Sequence, residues 1–186
     1  MGKFLQSRAS KGAASEIYDS NLLTTAGLRS LIPGNFYLME IQPRDGGLLQ
    51  AIEPCFLLLH EKALFVLYQC HQNGIIHGDV GEEKWMCFNY LGDGNPFDNP
   101  LKKNDENIAL LAALLKLPEV EFHNCILFDN ECELRRIPVS TEKQSIIWAD
   151  QVEAHFASLL PKLPVRYTHT QLEALHDIFQ LVSSEA

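Results

Sequence analysis

Two apolar runs, Cys55-Phe-Leu-Leu-Leu-His60 and Ala63-Leu-Phe-Val-Leu-Tyr-Gln-Cys70, are separated only by Glu61 and Lys62. Nothing else in the chain restricts its fold as strongly. Each run is short, lacks helix caps and is rich in residues that suit a pleated, buried surface, so each reads as a strand. The two-residue polar break makes them a hairpin. Because both faces of each run are apolar, the hairpin is expected in the middle of a sheet with both sides covered. Polar and reactive side chains then collect at the strand ends: Glu53 before the first strand, and Tyr68, Cys70 and His71 at the end of the second.

Around this hairpin the remaining elements can be read in order. Ser10 to Leu23 has a capping serine, Ala13 and Ala14, and a short apolar stripe, which predict a helix; Gly27 and the Pro33-Gly34 pair close that region by about Ile32. Phe36 to Ile41 reads as a strand ended by the turn cluster Pro43-Arg-Asp-Gly-Gly47. Further strands are expected at 74–78 and 85–88, with 89–99 read as a loop rich in Gly, Asn and Asp. Asn99 followed by Pro100 is a helix start, and Leu101, Ile108, Leu111 and Leu115 give that helix an apolar face ended by Pro118. Strands at 122–128 and 134–137 follow, then amphipathic helices at 150–160 and 168–182. Thr168 and Gln171 of the last helix stand at capping-box spacing. This order predicts an α/β or α+β sandwich with a mixed sheet, formed as one domain over 1–186.

The chain has 186 residues and a net charge of −9. That balance argues against a protein that coats nucleic acid by neutralising phosphates alone, though not against a local basic groove. No apolar stretch reaches the length of a membrane span, and the first residues lack a signal-peptide apolar region. Five cysteines in no CxxC spacing are expected as free thiols in a reducing cytoplasm. Cys55, Cys70, His71 and Cys87 are ligand types that zinc accepts, yet cysteines on strands ordinarily pack as small apolar groups. Cys70 and His71, as strand neighbours, point to opposite faces and cannot form a nucleophile–base pair.

The order of motifs resembles the nuclease-related (NERD) domain of the restriction-endonuclease-like PD-(D/E)xK superfamily, over roughly residues 10 to 182. Gly12-Ala-Ala-Ser-Glu16 is similar to the family's Gly-x-x-Gly-Glu helix. Ala63 to Cys70 is similar to its Gly-Ile-Phe-Val-Ile-Glu-x-Lys strand, and Gly74 to Gly78 with Trp85 to the positions after it. Asn99-Pro-Leu-Lys-Lys-Asn104 resembles the Asn-Pro-Leu-x-Gln-Asn helix start, with Lys103 in place of glutamine. The resemblance implies a restriction-endonuclease-like core: a central mixed β-sheet flanked by helices.

The departures fall on the chemistry. In this superfamily, carboxylates on the first helix and on two strands hold Mg²⁺, and a lysine follows the last of them. A hard cation needs several oxygen ligands to polarise a phosphate and activate water. Here the Glu-x-Lys pair is replaced by Tyr68-Gln-Cys70. Ungapped, Cys55 falls on the strand aspartate; a two-residue shift puts Glu53 there. Glu16 and Glu53 are the two remaining candidate metal ligands. A degenerate, catalytically inactive binding or regulatory module that contacts DNA or a protein, with no cofactor, is the leading expectation. Its rivals are an active Mg²⁺-dependent nuclease using Glu16 and Glu53, and a protein-interaction module with no nucleic acid role. Lys102 and Lys103, at a helix N-terminus, are the candidate phosphate contacts.

Overall fold

The structure, a computed structural model, describes residues 24–43, 49–129, 132–135, 137 and 142–184. The helix expected at Ser10–Leu23, and with it Glu16, lies outside the described residues. The first described helix, α1 (Thr25–Leu31), is capped by the Thr24 side chain, which accepts a hydrogen bond from the Gly27 amide. Strand β1 (Phe36–Ile41) follows, then the hairpin of β2 (Cys55–His60) and β3 (Ala63–Cys70). At the base of this unit His60 hydrogen-bonds the Pro33 carbonyl across Gly34. Gly34 has φ of +100°, and a Cβ there would lie 2.7 Å from the His60 ring, so only glycine fits.

β1, β2 and β3 run antiparallel, and β7 (Phe122–Phe128) and β9 (Gln144–Trp148) extend the sheet in parallel from β3, in the order β1-β2-β3-β7-β9. The hairpin is therefore interior, as its two apolar faces require. Alternation sends its side chains to two separate cores. Leu57, Leu59, Leu64 and Val66 pack with Ile108, Leu111 and Leu115 of α2 (Pro100–Leu115) and with Leu172, Leu175 and Phe179 of α4 (His169–Ser184). Phe56, Leu58, Phe65 and Leu67 pack on the other side with Leu28 of α1 and with Val152 and Phe156 of α3 (Val152–Leu159). Helices on both faces of a mixed sheet are the mixed α/β architecture expected.

A second mixed sheet sits after β3: β4 (Ile75–His77), β5 (Lys84–Phe88), β6 (Gly94–Asp98) and β8 (Glu133–Arg135), in the order β6-β5-β4-β8. Its inner residues, Ile76, Trp85 and Cys87, share a third core with Cys70, Ile126 and Phe128 of the main sheet and Leu101 of α2.

Two strands differ from the sequence reading. β6 lies inside the segment 89–99 read as a loop. It is an edge strand held in register by β5, a place where Pro96 removes no interior ladder bond. β9 was not expected; its short Gln-Ser-Ile-Ile-Trp run is recruited by parallel pairing with β7. Ile178 of α4 is 40% exposed, the inner side of the helix being filled by Leu172, Leu175 and Phe179. The Thr168–Gln171 capping box forms as read, each side chain accepting from the other residue's amide. Among the described residues no helix is long and apolar enough to cross a membrane.

Candidate functional site

The register places Cys55 opposite Tyr68 on the face of the sheet that α2 covers. Two residues before Cys55 the chain bends into β2 at Glu53, and its carboxylate comes over the end of β3. Tyr68 donates its hydroxyl to Glu53 Oε2 at 2.7 Å. Lys103, from the first turn of α2, reaches Glu53 Oε1 at 3.2 Å and Glu106 at 3.6 Å. Glu53 therefore has one carboxylate oxygen on a phenol and the other on an ammonium.

Helix α2 is the element that sets this geometry. Asn99 accepts from the Leu101 amide, and its NH₂ group donates to the Glu82 and Val80 carbonyls. Asn104, fully buried, donates to the Val66 carbonyl at 2.9 Å and to Asn124 Oδ1 at 2.8 Å. Asn124 in turn donates to Asp105 and to the Leu101 carbonyl. Asn107 accepts from the Glu53 amide at 3.0 Å and donates back to the Glu53 carbonyl. Three asparagines on one helix thus pin it to the second sheet, to β3 and β7, and to the Glu53 backbone. The NH₂ groups of all three are partnered, while Asn104 Oδ1 is buried with no partner among the described residues; an unpaired buried donor would be costly, so the network fixes the helix register.

These contacts set the electrostatics. Burial, then the hydrogen bond to Glu53 and its negative charge, push the Tyr68 hydroxyl far above the usual phenol range. The Lys103 ammonium is also raised, chiefly by Glu53 and then by Glu106. Cys55 and Cys70 are buried and their thiols are pushed up to about 12, so neither is a thiolate at neutral pH.

The other residues singled out from the sequence are dispersed. Cys55 packs in the core under α2 and α4, whereas Cys70 and Cys87 belong to the core between the sheets. His71 turns outward to Asp129 at 3.6 Å, its side chain 72% exposed. The zinc set is therefore not brought together. Among the described residues no three His, Cys, Asp or Glu side chains form a group that could hold a metal. All five cysteines are buried and unbridged. Lys102 binds the Gly81 carbonyl and Glu83.

Among the described residues, the donor set around Glu53 does not suit a hard divalent cation. Mg²⁺ asks for several anionic or carbonyl oxygens in octahedral array. Facing Glu53 here are a neutral phenol and a positive ammonium. The sequence pointed to Glu53, Tyr68 and Lys103 separately, but not to their contact. Asn107 was missed and Asn104 was noted only as the end of the helix-start motif, although the signal for both was present: they are polar and sit beside Leu101, Ile108 and Leu111 on the buried side of an amphipathic helix.

Residues 50–129 match the family model of the nuclease-related domain (NERD). The match runs from just before Glu53 through β7 and contains Tyr68 and Lys103. It carries with it the nuclease-like mixed α/β fold, and is narrower than the resemblance over residues 10 to 182. No curated protein and no solved structure gives a significant match to the chain.

Proposed function

We propose that this protein is a nuclease-related domain whose hydrolytic centre has been converted into a structural contact, and that it works as a non-catalytic binding or regulatory module. The observation that carries the reading is the state of Glu53. Phosphodiester hydrolysis with a metal needs carboxylate oxygens open to the cation and a base or cation near the attacking water. Glu53 spends one oxygen on Tyr68 and the other on Lys103. The position expected to hold the second carboxylate is Tyr68, and burial keeps its hydroxyl protonated. Cys70, in the lysine position, is a buried neutral thiol.

Protein is favoured over DNA as the partner by the state of the two lysines. Lys102 is held by Glu83, and Lys103 by Glu53 and Glu106, so the α2 N-terminus offers phosphate little uncompensated charge.

The test is to incubate the purified protein with plasmid and linear DNA in Mg²⁺ and in Mn²⁺. No cleavage is expected. Cleavage that disappears in Glu16→Ala or Glu53→Ala would restore the active-nuclease reading. Salt-dependent DNA binding without cleavage would keep the inactive centre but reassign the partner to nucleic acid.

A further inference from the structure

The outer face of the second sheet carries a groove of about 710 Å³, lined by β4, β5 and the turns beside them and not by Glu53. Its floor is Ile75 and His77 of β4 against Phe88 and Met86 of β5, which register places side by side and which alternate with the buried Ile76, Trp85 and Cys87. The Phe88 ring lies across β6 because residue 94 is glycine: a Cβ there would meet the ring at 2.6 Å.

Two turns form the walls, and both are held rigid by their own hydrogen bonds. In the β5–β6 turn, Asn89 Oδ1 accepts from the Leu91 and Asp93 amides, and the turn presents Tyr90 with 83% of its surface exposed. In the β4–β5 turn, Asp79 accepts from the Gly81 amide and Glu82 from the Asp79 amide. Asn99 and Lys102 of α2 anchor the carbonyls of that turn. Such walls need little ordering when something binds.

The charge of the groove selects its occupant. Arg135, at one side, is neutralised by Glu133 at 2.7 Å. Asp79 and Glu82 are exposed, and neither forms an ion pair among the described residues. Phe88 and Tyr90 line the groove together with these two carboxylates, and such a set suits a guanidinium, which stacks on a ring face while carboxylates hold its edge. The whole chain, at −9, also draws basic partners towards it.

We propose that this groove binds an arginine side chain of a basic peptide segment in a protein partner, the guanidinium seated between Phe88 and Tyr90 and held by Asp79 and Glu82. The site lies apart from Glu53, so its fate does not depend on whether the chain cleaves DNA.

The test measures fluorescence anisotropy of a labelled all-arginine peptide, and separately of a labelled oligothymidylate, on the full chain at near-physiological salt. The double variant Asp79→Asn, Glu82→Gln keeps the oxygens that accept the turn amides and removes only charge. It is expected to weaken peptide binding by about tenfold or more, and Tyr90→Ala by about threefold. A control with the same charge change, Glu153→Gln with Glu173→Gln on exposed positions of α3 and α4, is expected to leave binding within about twofold. The proposal is overturned if the peptide does not bind. Equal weakening in both double variants, or no weakening in the groove variants, would overturn it too. Oligothymidylate binding that Tyr90→Ala abolishes would instead make the groove a base-stacking platform for single strands.

Discussion

The Tyr68 hydroxyl donates a 2.7 Å hydrogen bond to Oε2 of Glu53, so that the end of β3 is joined to the lead-in of β2 by a phenol and a carboxylate. Tyr68→Phe removes the donor and leaves the ring. A hydrogen bond to a charged acceptor is ordinarily worth about 1.5–3 kcal/mol, and partial exposure of Glu53 brings the expected loss down to about 1 kcal/mol. Urea denaturation should show the midpoint falling with the slope unchanged. An unchanged midpoint would mean that water replaces the phenol without cost.

Lys103 holds the other oxygen of Glu53, with both side chains partly exposed. Lys103→Gln is expected to cost less than about 1 kcal/mol at low salt, and the difference should vanish near 1 M salt, where the screening length falls to about 3 Å. If Tyr68→Phe and Lys103→Gln combined cost clearly more or less than their sum, the two residues are coupled through Glu53. Strict additivity would count against the three acting as one unit.

The hairpin was legible in the sequence because its information is local: two apolar runs and a two-residue turn leave little else to form. The α2 start was legible for the same reason, since Asn99 and Pro100 are a cap and a first-turn residue whatever lies around them. β6 and β9 were not, because Gly94-Asn-Pro-Phe-Asp98 and Gln144-Ser-Ile-Ile-Trp148 become strands through the partners they pair with. The site divides in the same way. That Tyr68 and Cys70 take the places of a carboxylate and a lysine is what the family resemblance implies, and stating it needs no contact of the folded chain. That Lys103 closes on Glu53 depends on how α2 crosses β3, which is fixed by Asn104, Asn107 and Asn124, residues that meet only in the folded chain.

His123, on β7, is buried against Phe65, and desolvation together with the charges of Lys143 and Arg166 lowers its pKa to about 4. A depressed pKa means that the unfolded state takes up a proton first as pH falls. Stability is therefore complete above the usual histidine value of 6.5 and is lost as pH drops towards 4. His60 and His155 are shifted in the same direction, also chiefly by burial. The His123 share is expected to be about 2 kcal/mol between neutral pH and pH 4. His123→Phe should flatten that part of the stability curve in urea titrations; an identical acid limb in wild type and variant would place the loss elsewhere.

Burial pushes the thiols of Cys55, Cys70, Cys125 and Cys132 up to about 12. Raised values act at the other end of the scale: stability is full below the usual thiol value of 9.0 and falls as pH rises from there towards 12. Each thiol contributes at most about 1.4 kcal/mol per pH unit across that window. In a thiol-exchange assay with an aromatic disulfide near pH 8, the native protein is expected to react slowly and the urea-unfolded chain to release five equivalents at once. Rapid reaction of a native cysteine would show that its core opens locally.

Replacing Tyr68 by glutamate tests whether the strand ends can hold a metal. Tyr68→Glu puts a second carboxylate against Glu53 in place of the hydrogen bond, with Lys103 alone to balance the pair. Like charges so close are expected to destabilise the protein by about 1–2 kcal/mol in the absence of divalent ions. If the scaffold still sets two strand carboxylates around a cation, Mg²⁺ should reverse the loss. Ion at ten times its dissociation constant stabilises by about 1.4 kcal/mol, which for a chain of this size raises the melting temperature by about 3–5 °C. Wild type, with Tyr68 and Lys103 on Glu53, should show no such rise. A variant that stays destabilised in Mg²⁺ would mean that the strand ends do not place two carboxylates around a cation. An equal rise in wild type would reveal a metal site that the Tyr68–Glu53 bond does not close.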